Sequence, residues 1–309
     1  MPTVALVTAD PEVVADEEVD LPILLPELAR VGVLAEAPVW HDSSVDWARF
    51  DLIVIRSPWD YPERLGEFLA WLAAAREATE VLNCPDLIRW NLDKAYLLEL
   101  GADGVPVVET HLCDSIGSVR ATIDGMESDQ VVLKPNVSVG SRDTGRFERT
   151  DTSGAASLAR TILDSGRRVL VQPGVPSVSR EGEIALVYFD GELSHSLRKG
   201  PILALGGGFI GGRYAEEIAG ARASAEERAL GHLAISAVSR SATRNGCSCA
   251  NPTPLYARFD LVAGEAGPLL LEAELFEPSY FLGTSPGSER SFSRALMRRL
   301  EAKEDSRLG

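Results

Sequence analysis

The stretch Tyr256–Glu277, YARFDLVAGEAGPLLLEAELFE, constrains the chain more than any other. It reads as two short strands joined by the turn AGEAG at Ala263–Gly267. Side chains two apart on a strand share a face. Arg258 and Asp260 therefore point one way on the first strand, and Glu272 and Glu274 point together on the second. A hairpin centred on Ala266 sets Asp260 opposite Glu272 and Arg258 opposite Glu274. Phe259, Leu261, Leu269, Leu271 and Leu275 then make the apolar face. Two like charges about 4 Å apart repel by about 1 kcal/mol in water and about 4 kcal/mol at an effective dielectric of 20. A cation relieves that repulsion, and hard oxygen ligands suit Mg²⁺. The competing reading is a solvated hairpin face. Such a face usually alternates Lys with Glu, whereas Arg258 is the one cation among these four charges.

With 309 residues the chain can build two or three packed units. Its net charge of −16 argues against a nucleic-acid surface, so any anionic substrate needs a local basic cluster. Cys84, Cys113, Cys247 and Cys249 show no paired metal spacing and read as reduced bystander thiols. The start MPTVALVTAD has no basic segment followed by a long apolar run, and no window approaches the ~18 apolar residues of a membrane helix. The expectation is a cytoplasmic protein without a membrane contact.

Residues 1–83 read as a parallel α/β unit. Apolar runs at Val4–Val7, Val33–Val39 and Leu52–Ile55 alternate with helical patterns at Glu17–Arg30 and Glu63–Arg76. Ligands gather beyond the carboxyl ends of parallel strands, which nominates Arg56, Trp59, Asp60 and Tyr61 as substrate contacts. A turn in which Pro58 and Asp60 cap the next helix explains the same string. In RWNLDK, Asn91 reads as an N-cap with Lys94 in the first helical turn. A lysine there opposes the helix dipole, which makes sense if it reaches an anion. The strand Val131–Lys134 runs into a loop of small residues, including Ser138, Gly140 and Ser141, where backbone N–H groups could approach phosphate. A helix at Ser153–Ser165 and a strand at Val169–Gln172 follow.

Strands Glu183–Phe189 and Glu192–Lys199 are joined by Asp190-Gly191, a strong hairpin signal. Gly206, Gly208 and Gly211 spell G-x-G-x-x-G, but after antiparallel strands, so LGGGFIGGR reads as a mobile lid and not a dinucleotide turn. Helices are expected at Ala225–Arg244 and Ser288–Leu300, with a frayed tail EAKEDSRLG. The four histidines lie in no zinc-hydrolase spacing, His195 reads as a satisfied strand residue, and no G-x-S-x-G elbow occurs.

Taken in order, Lys94, Lys134 in VLKP, the loop Ser138–Arg146, the segment VQPGV at Val171–Val175, Arg258-x-Asp260 and Glu272-x-Glu274 resemble the ATP-grasp superfamily across about residues 84–300. Two departures stand out: Glu274 replaces the usual asparagine, and Gln172-Pro173 occupies the place of an acidic ribose contact. The strings SPWDYPERL, RWNLDK, KPNVSVGSRDT and LEAELFEPSYFL look most like the small bacterial group that includes the cyclo-ligase of cycloserine biosynthesis. The resemblance implies a mixed α/β chain: an N-terminal α/β domain at 1–83, and two subdomains at 84–170 and 171–309 sandwiching ATP. It also implies ATP bound by Lys94, Lys134, Ser138, Gly140, Ser141, Gln172, Gly174, Val175 and Glu183. Two Mg²⁺ would be held by Asp260, Glu272 and Glu274. Arg258 would stabilise an acyl phosphate, and Arg198 or Lys199 would neutralise charge at the γ-phosphate or the substrate carboxylate. The implied reaction is C–N bond formation on a small amino-acid-like carboxylate, by an internal or an external nitrogen. A phosphotransferase and a non-catalytic nucleotide-binding protein are the competing readings. A homodimer is compatible with the resemblance.

Overall fold

Three sheets surround one cleft in the structure, a computed structural model that describes residues 1–14, 17–212, 215–247 and 251–308. The first contains β1 (Thr3–Thr8), α1 (Pro11–Val14), α2 (Leu21–Arg30), β2 (Leu34–Glu36), β3 (Leu52–Ser57), α3 (Leu65–Ala78) and β4 (Glu80–Leu82). Its strands are all parallel, in the order β2-β1-β3-β4. Val4–Val7 and Leu52–Ile55 are fully buried, as expected of parallel strands covered on both faces. Helix α2 begins at Leu21 and not at Glu17, because Pro22 belongs in a first turn. Helix α3 likewise starts two residues later than the pattern suggested, with Arg64 and not Pro58 or Asp60 at its N-cap.

The second sheet follows α4 (Pro85–Leu92) and α5 (Tyr96–Ala102). It is built from β5 (His111–Cys113), α6 (Ile116–Gly125), β6 (Gln130–Pro135), β7 (Gly145–Glu148), α7 (Thr152–Asp164) and β8 (Val169–Pro173). Its strands are antiparallel in the order β5-β8-β6-β7. Val119, Ile123, Ala159 and Ile162 of α6 and α7 seal one face against Val131, Leu133, Val169 and Val171. On the opposite face Leu170 joins the core beneath the helix Ala225–Arg244, while Val132, Lys134 and Gln172 line the cleft.

Asn91 is not an N-cap, which corrects the sequence reading. It lies in the last turn of α4, and its side-chain amide acts as a surrogate strand. Nδ2 donates to Ala273 O at 2.8 Å and Oδ1 accepts from Leu275 N at 2.9 Å. Lys94 consequently sits between α4 and α5, not in a helix's first turn, with its backbone N–H donating to Asn136 O at 2.8 Å.

The third sheet contains α8 (Pro176–Glu181), β9 (Glu183–Phe189), β10 (Glu192–Lys199), β11 (Ile218–Ala221), α9 (Ala225–Arg244), β12 (Tyr256–Gly264), β13 (Gly267–Glu274) and α10 (Ser288–Leu308). Strand order is β11-β10-β9-β12-β13, all antiparallel. Leu186, Tyr188, Phe259 and Leu261 face α9, where Leu230, Ala234 and Val238 complete a core. The other face changes character along the strands. Val187, Phe189 and Tyr256 pack on the N-terminal unit and α10, while Glu183, Lys199, Arg258 and Asp260 continue the same rows as charges. Gly182, at φ +70, opens β9 where a Cβ would lie 1.9 Å from Lys199 O, so only glycine lets the two strands meet there.

Two further expectations are corrected. Helix α10 continues to Leu308, so EAKEDSRLG is helical as far as that residue; Lys303 ties it down by donating to Asp51 O at 2.6 Å. Cys84 and Cys247 form a disulfide with Cα atoms 6.3 Å apart, and are not bystander thiols. They meet across 163 residues because both pack against the core beneath α9. Cys113 is free and buried, and Cys249 lies outside the described residues. So does Arg213 of the glycine-rich segment, whose described part includes Phe209 on the cleft wall. Among the described residues no helix is long and apolar enough to cross a membrane.

Candidate active site

The sheets enclose a cavity of about 740 Å³. One wall is the open face of the second sheet with the Val137–Arg146 loop. A second is the charged half of the third sheet, and a third is the carboxyl edge of the N-terminal unit around Trp59. Lys94, Lys134, Ser138, Gly140, Ser141, Gln172, Gly174, Val175 and Glu183 all reach the lining, as do Lys199, Arg258, Glu272 and Glu274.

The hairpin register is the expected one: Arg258 pairs with Glu274 and Asp260 with Glu272. A bulge achieves it. The tight end pairs Gly264 with Gly267, and the register shifts between Asp260 and Leu261 so that Leu271 is the extra residue. Leu271 therefore turns into the cavity beside Glu272, correcting its assignment to the core, and Leu270 takes the buried place. Leu269 is only half-buried.

The carboxylates converge together with cations. Glu272 lies 3.1 Å from Lys94 Nζ, which also donates to Ser138 O at 2.9 Å. Asp260 accepts from Arg258 Nε at 2.9 Å and from Lys199 Nζ at 2.9 Å, beneath the cavity wall. Glu274 is paired with Arg258, and Lys199 also meets Glu183 and Glu216, each at 3.4 Å. Burial alone would raise Asp260, but Arg258 and Lys199 bring its carboxyl down to about 2. Glu274 goes the other way: burial, with Asp260 and Glu272 beside it, pushes it up to about 8 despite Arg258. Among the described residues no group of three acidic, histidine or cysteine side chains is gathered closely enough to hold a metal. The donor set still fits Mg²⁺, because Glu272 and Glu274 present hard oxygens to the cavity and the charge that raises Glu274 is what a divalent cation relieves.

Lys134 stands apart. It is buried at 7% exposure and, while its backbone pairs with Leu170 in the β6–β8 ladder, its Nζ makes no hydrogen bond or ion pair among the described residues. Burial, with Lys94 nearby, lowers its pKa, although Glu272 opposes the shift. A cation so placed is a ready anion site. Gln172 is turned to the cavity and donates to Thr110 Oγ1 at 2.9 Å.

Three expected site residues are corrected. Arg56 is fully buried away from the cavity, stacked 3.6 Å over the Tyr280 ring and hydrogen-bonded to Asp20 and Pro278 O. Asp60 is occupied by Trp40 Nε1 at 2.7 Å and by Arg64, outside the lining. Arg198 alternates with Lys199 on β10, so it points outward and donates to Glu181 O. Of the substrate candidates, Trp59 lines the cavity, and Tyr61 lies behind the wall with its hydroxyl 3.0 Å from Glu277 Oε1. His195 is buried with Nε2 2.7 Å from Tyr280 O, the satisfied strand residue it was read as.

Glu277 was missed. It lines the cavity at 8% exposure, and burial pushes its carboxyl up to about 7. The period-two pattern that revealed Glu272 and Glu274 ends with β13 at Glu274, so Glu277 carried no strand signal.

Residues 4–83 match the family described as D-cycloserine synthetase DcsG, N-terminal domain. The chain is 36% identical over 296 residues to the cycloserine biosynthesis protein DcsG of Streptomyces lavendulae, covering 91% of this chain and 94% of that protein. The crystal structure of D-cycloserine synthetase DcsG superposes with a TM-score of 0.87 at 36% identity, over 96% of this chain and 99% of that one. More distant folds include a RimK-domain ATP-grasp protein from Sphaerobacter thermophilus (TM-score 0.65, 20% identity, 96% and 98% coverage). A D-alanine–D-alanine ligase from Bacillus anthracis also shares the fold (TM-score 0.65, 14% identity, 99% of both chains). With this fold, this cavity and this relative, the chain belongs to the ATP-grasp ligases of the D-cycloserine synthetase group.

Proposed function

We propose that the chain activates the carboxylate of a small amino-acid-like substrate with ATP and closes it onto an internal nitrogen, as in the conversion of O-ureido-D-serine to D-cycloserine. The observation that carries this reading is the division of charge in one cavity. Lys134, a buried cation without an ion pair, faces the carboxylates Glu272 and Glu274 across the space that the Ser138–Arg146 loop borders. Phosphoryl transfer asks a protein for positioning and charge neutralisation more than for covalent chemistry.

In this reading Lys94 and Lys134 hold the α- and β-phosphates, and the backbone at Gln172–Val175 receives the adenine. Residues 84–170 and 171–309 are the two halves around the nucleotide, with 1–83 contributing the substrate side. Glu272, Glu274 and, once released from Arg258 and Lys199, Asp260 would hold two Mg²⁺, which supply charge neutralisation at the transferring phosphoryl group. Lys199 neutralises charge at the γ-phosphate. Arg258 orients the substrate carboxylate and stabilises the acyl phosphate formed on it. The oxyamino nitrogen of the same molecule then attacks the acyl carbon and phosphate leaves, closing the ring; with O-ureido-D-serine, water also takes the carbamoyl group off that nitrogen as carbon dioxide and ammonia. The protein is expected to act on a free small molecule in the cytoplasm.

ADP release measured with O-ureido-D-serine and with other D- and L-amino-acid derivatives, followed by mass analysis of the product, tests the reading. The expected result is Mg²⁺-dependent ADP formation with a cyclic product. A stable phosphorylated substrate would select the phosphotransferase reading, and ATP binding without turnover the non-catalytic one. Glu272→Gln is expected to lower turnover by about 10²–10³-fold while the protein stays folded; unchanged turnover would reject the metal assignment.

A further inference from the structure

The cavity contains a second unpaired charge, opposite in sign to Lys134. Among the described residues Glu183, Asp260, Glu272 and Glu274 each have a lysine or arginine within 4 Å; Glu277 has none. Its Oε1 accepts from Tyr61 OH at 3.0 Å, and its own backbone carbonyl accepts from Trp59 Nε1 at 3.1 Å. Among the described residues Oε2 accepts no hydrogen bond. Two aromatic donors from the N-terminal unit thus fix the position of a carboxylate that has one oxygen to spare, in the wall of the cavity.

Arg258 shares that wall. Its Nε and Nη2 are committed to Asp260 and Glu274, and Nη1 donates once to Ser279 O at 3.0 Å, two residues beyond Glu277. One of its five N–H groups remains over. A guanidinium and a carboxylate presented from the same wall are complementary to a zwitterion, whose carboxylate and ammonium are separated by a single carbon.

We infer that Glu277, oriented by Tyr61, is the binding site for the α-ammonium group of an amino-acid substrate and sets the specificity for amino acids over simple carboxylates. This rests on the carboxylate-activating function proposed above. Arg258 takes the carboxylate while Glu277 takes the ammonium, so a substrate lacking the amine loses its second anchor. A buried carboxylate left without that partner also disfavours the des-amino molecule, which sharpens discrimination.

The test compares O-ureido-D-serine with 3-(ureidooxy)propanoate, the same molecule without the α-amino group, by calorimetric binding and by ADP release. The wild-type protein is expected to prefer the amino compound by about 10- to 100-fold, the worth of a charged hydrogen bond. In Glu277→Gln that preference falls to about 3-fold or less, while KM for ATP and the Mg²⁺ dependence stay unchanged. Glu277→Asp keeps the charge and retains part of the preference, which separates lost recognition from misfolding. A preference that survives in Glu277→Gln, a wild-type protein that binds both compounds equally, or a variant that changes Mg²⁺ dependence in place of preference would overturn the inference. Binding that follows the expected pattern without ADP release would instead contradict the ligase function and leave the ammonium site standing.

Discussion

Lys134 holds the strongest tension in the molecule at the scale of one side chain. Burial disfavours its charge, and nothing among the described residues pairs with it. Such a residue weakens the unliganded protein and is useful only when an anion arrives. Lys134→Met is therefore expected to leave thermal stability unchanged or to raise it by about 1 kcal/mol, while KM for ATP rises by at least about 10-fold. Thermal unfolding and ADP-release kinetics on the same preparation check both halves. A variant that lost stability in parallel with activity would show Lys134 to be structural. The neighbouring carboxylates illustrate the opposite arrangement, since Glu272 in the cavity lining and Asp260 beneath it have cations already in place.

Among the elements, β9, β10 and the β12–β13 hairpin were legible in the sequence, and for a physical reason. Asp190 and Gly191 adopt φ +53 and +82, which suits the turn their residue types favour. Period-two alternation then fixes which side chains face the cleft. The bulge at Leu271 left no such mark, so the register of the charges was readable while the face of one leucine was not. Asn91 failed as a cap because its partners, Ala273 and Leu275, lie more than 180 residues away on an edge strand that needs covering. Arg56 was misread for a related reason: a strand's carboxyl end is where ligands gather, but Asp20 and Pro278 had already taken the guanidinium.

His195 on β10 gives a prediction at this scale. Burial holds its imidazole below the ordinary value, against the pull of Tyr280 O and Asp20. The unfolded chain therefore binds a proton first as pH falls below about 6.5, and the folded state loses stability there, with no contribution at higher pH. Urea unfolding at pH 7.5 and 5.5 is expected to show a larger loss for the wild-type protein than for His195→Gln. Equal losses would remove His195 from the account.

Across the whole molecule, the N-terminal unit is fastened to the third sheet through Asp20. Its Oδ2 accepts from Tyr280 N at 2.5 Å and from Arg56 Nη2 at 3.2 Å, and its Oδ1 from Leu282 N at 2.9 Å. These bonds hold the segment that carries Glu277, Ser279 and Phe281 along the cavity. Asp20→Ala leaves Arg56 buried and unpaired and is expected to cost about 3–5 kcal/mol in denaturant unfolding. A loss below about 1 kcal/mol would mean that the two units are held together by their shared apolar core alone.

The central claim is that the substrate carboxylate, and not water or a hydroxyl, receives the phosphoryl group in this cavity. The direct measurement is turnover with substrate labelled with ¹⁸O in its carboxylate, followed by mass analysis of the released phosphate. An acyl phosphate on the path transfers one labelled oxygen to each phosphate formed. Unlabelled phosphate accompanying product would contradict the account.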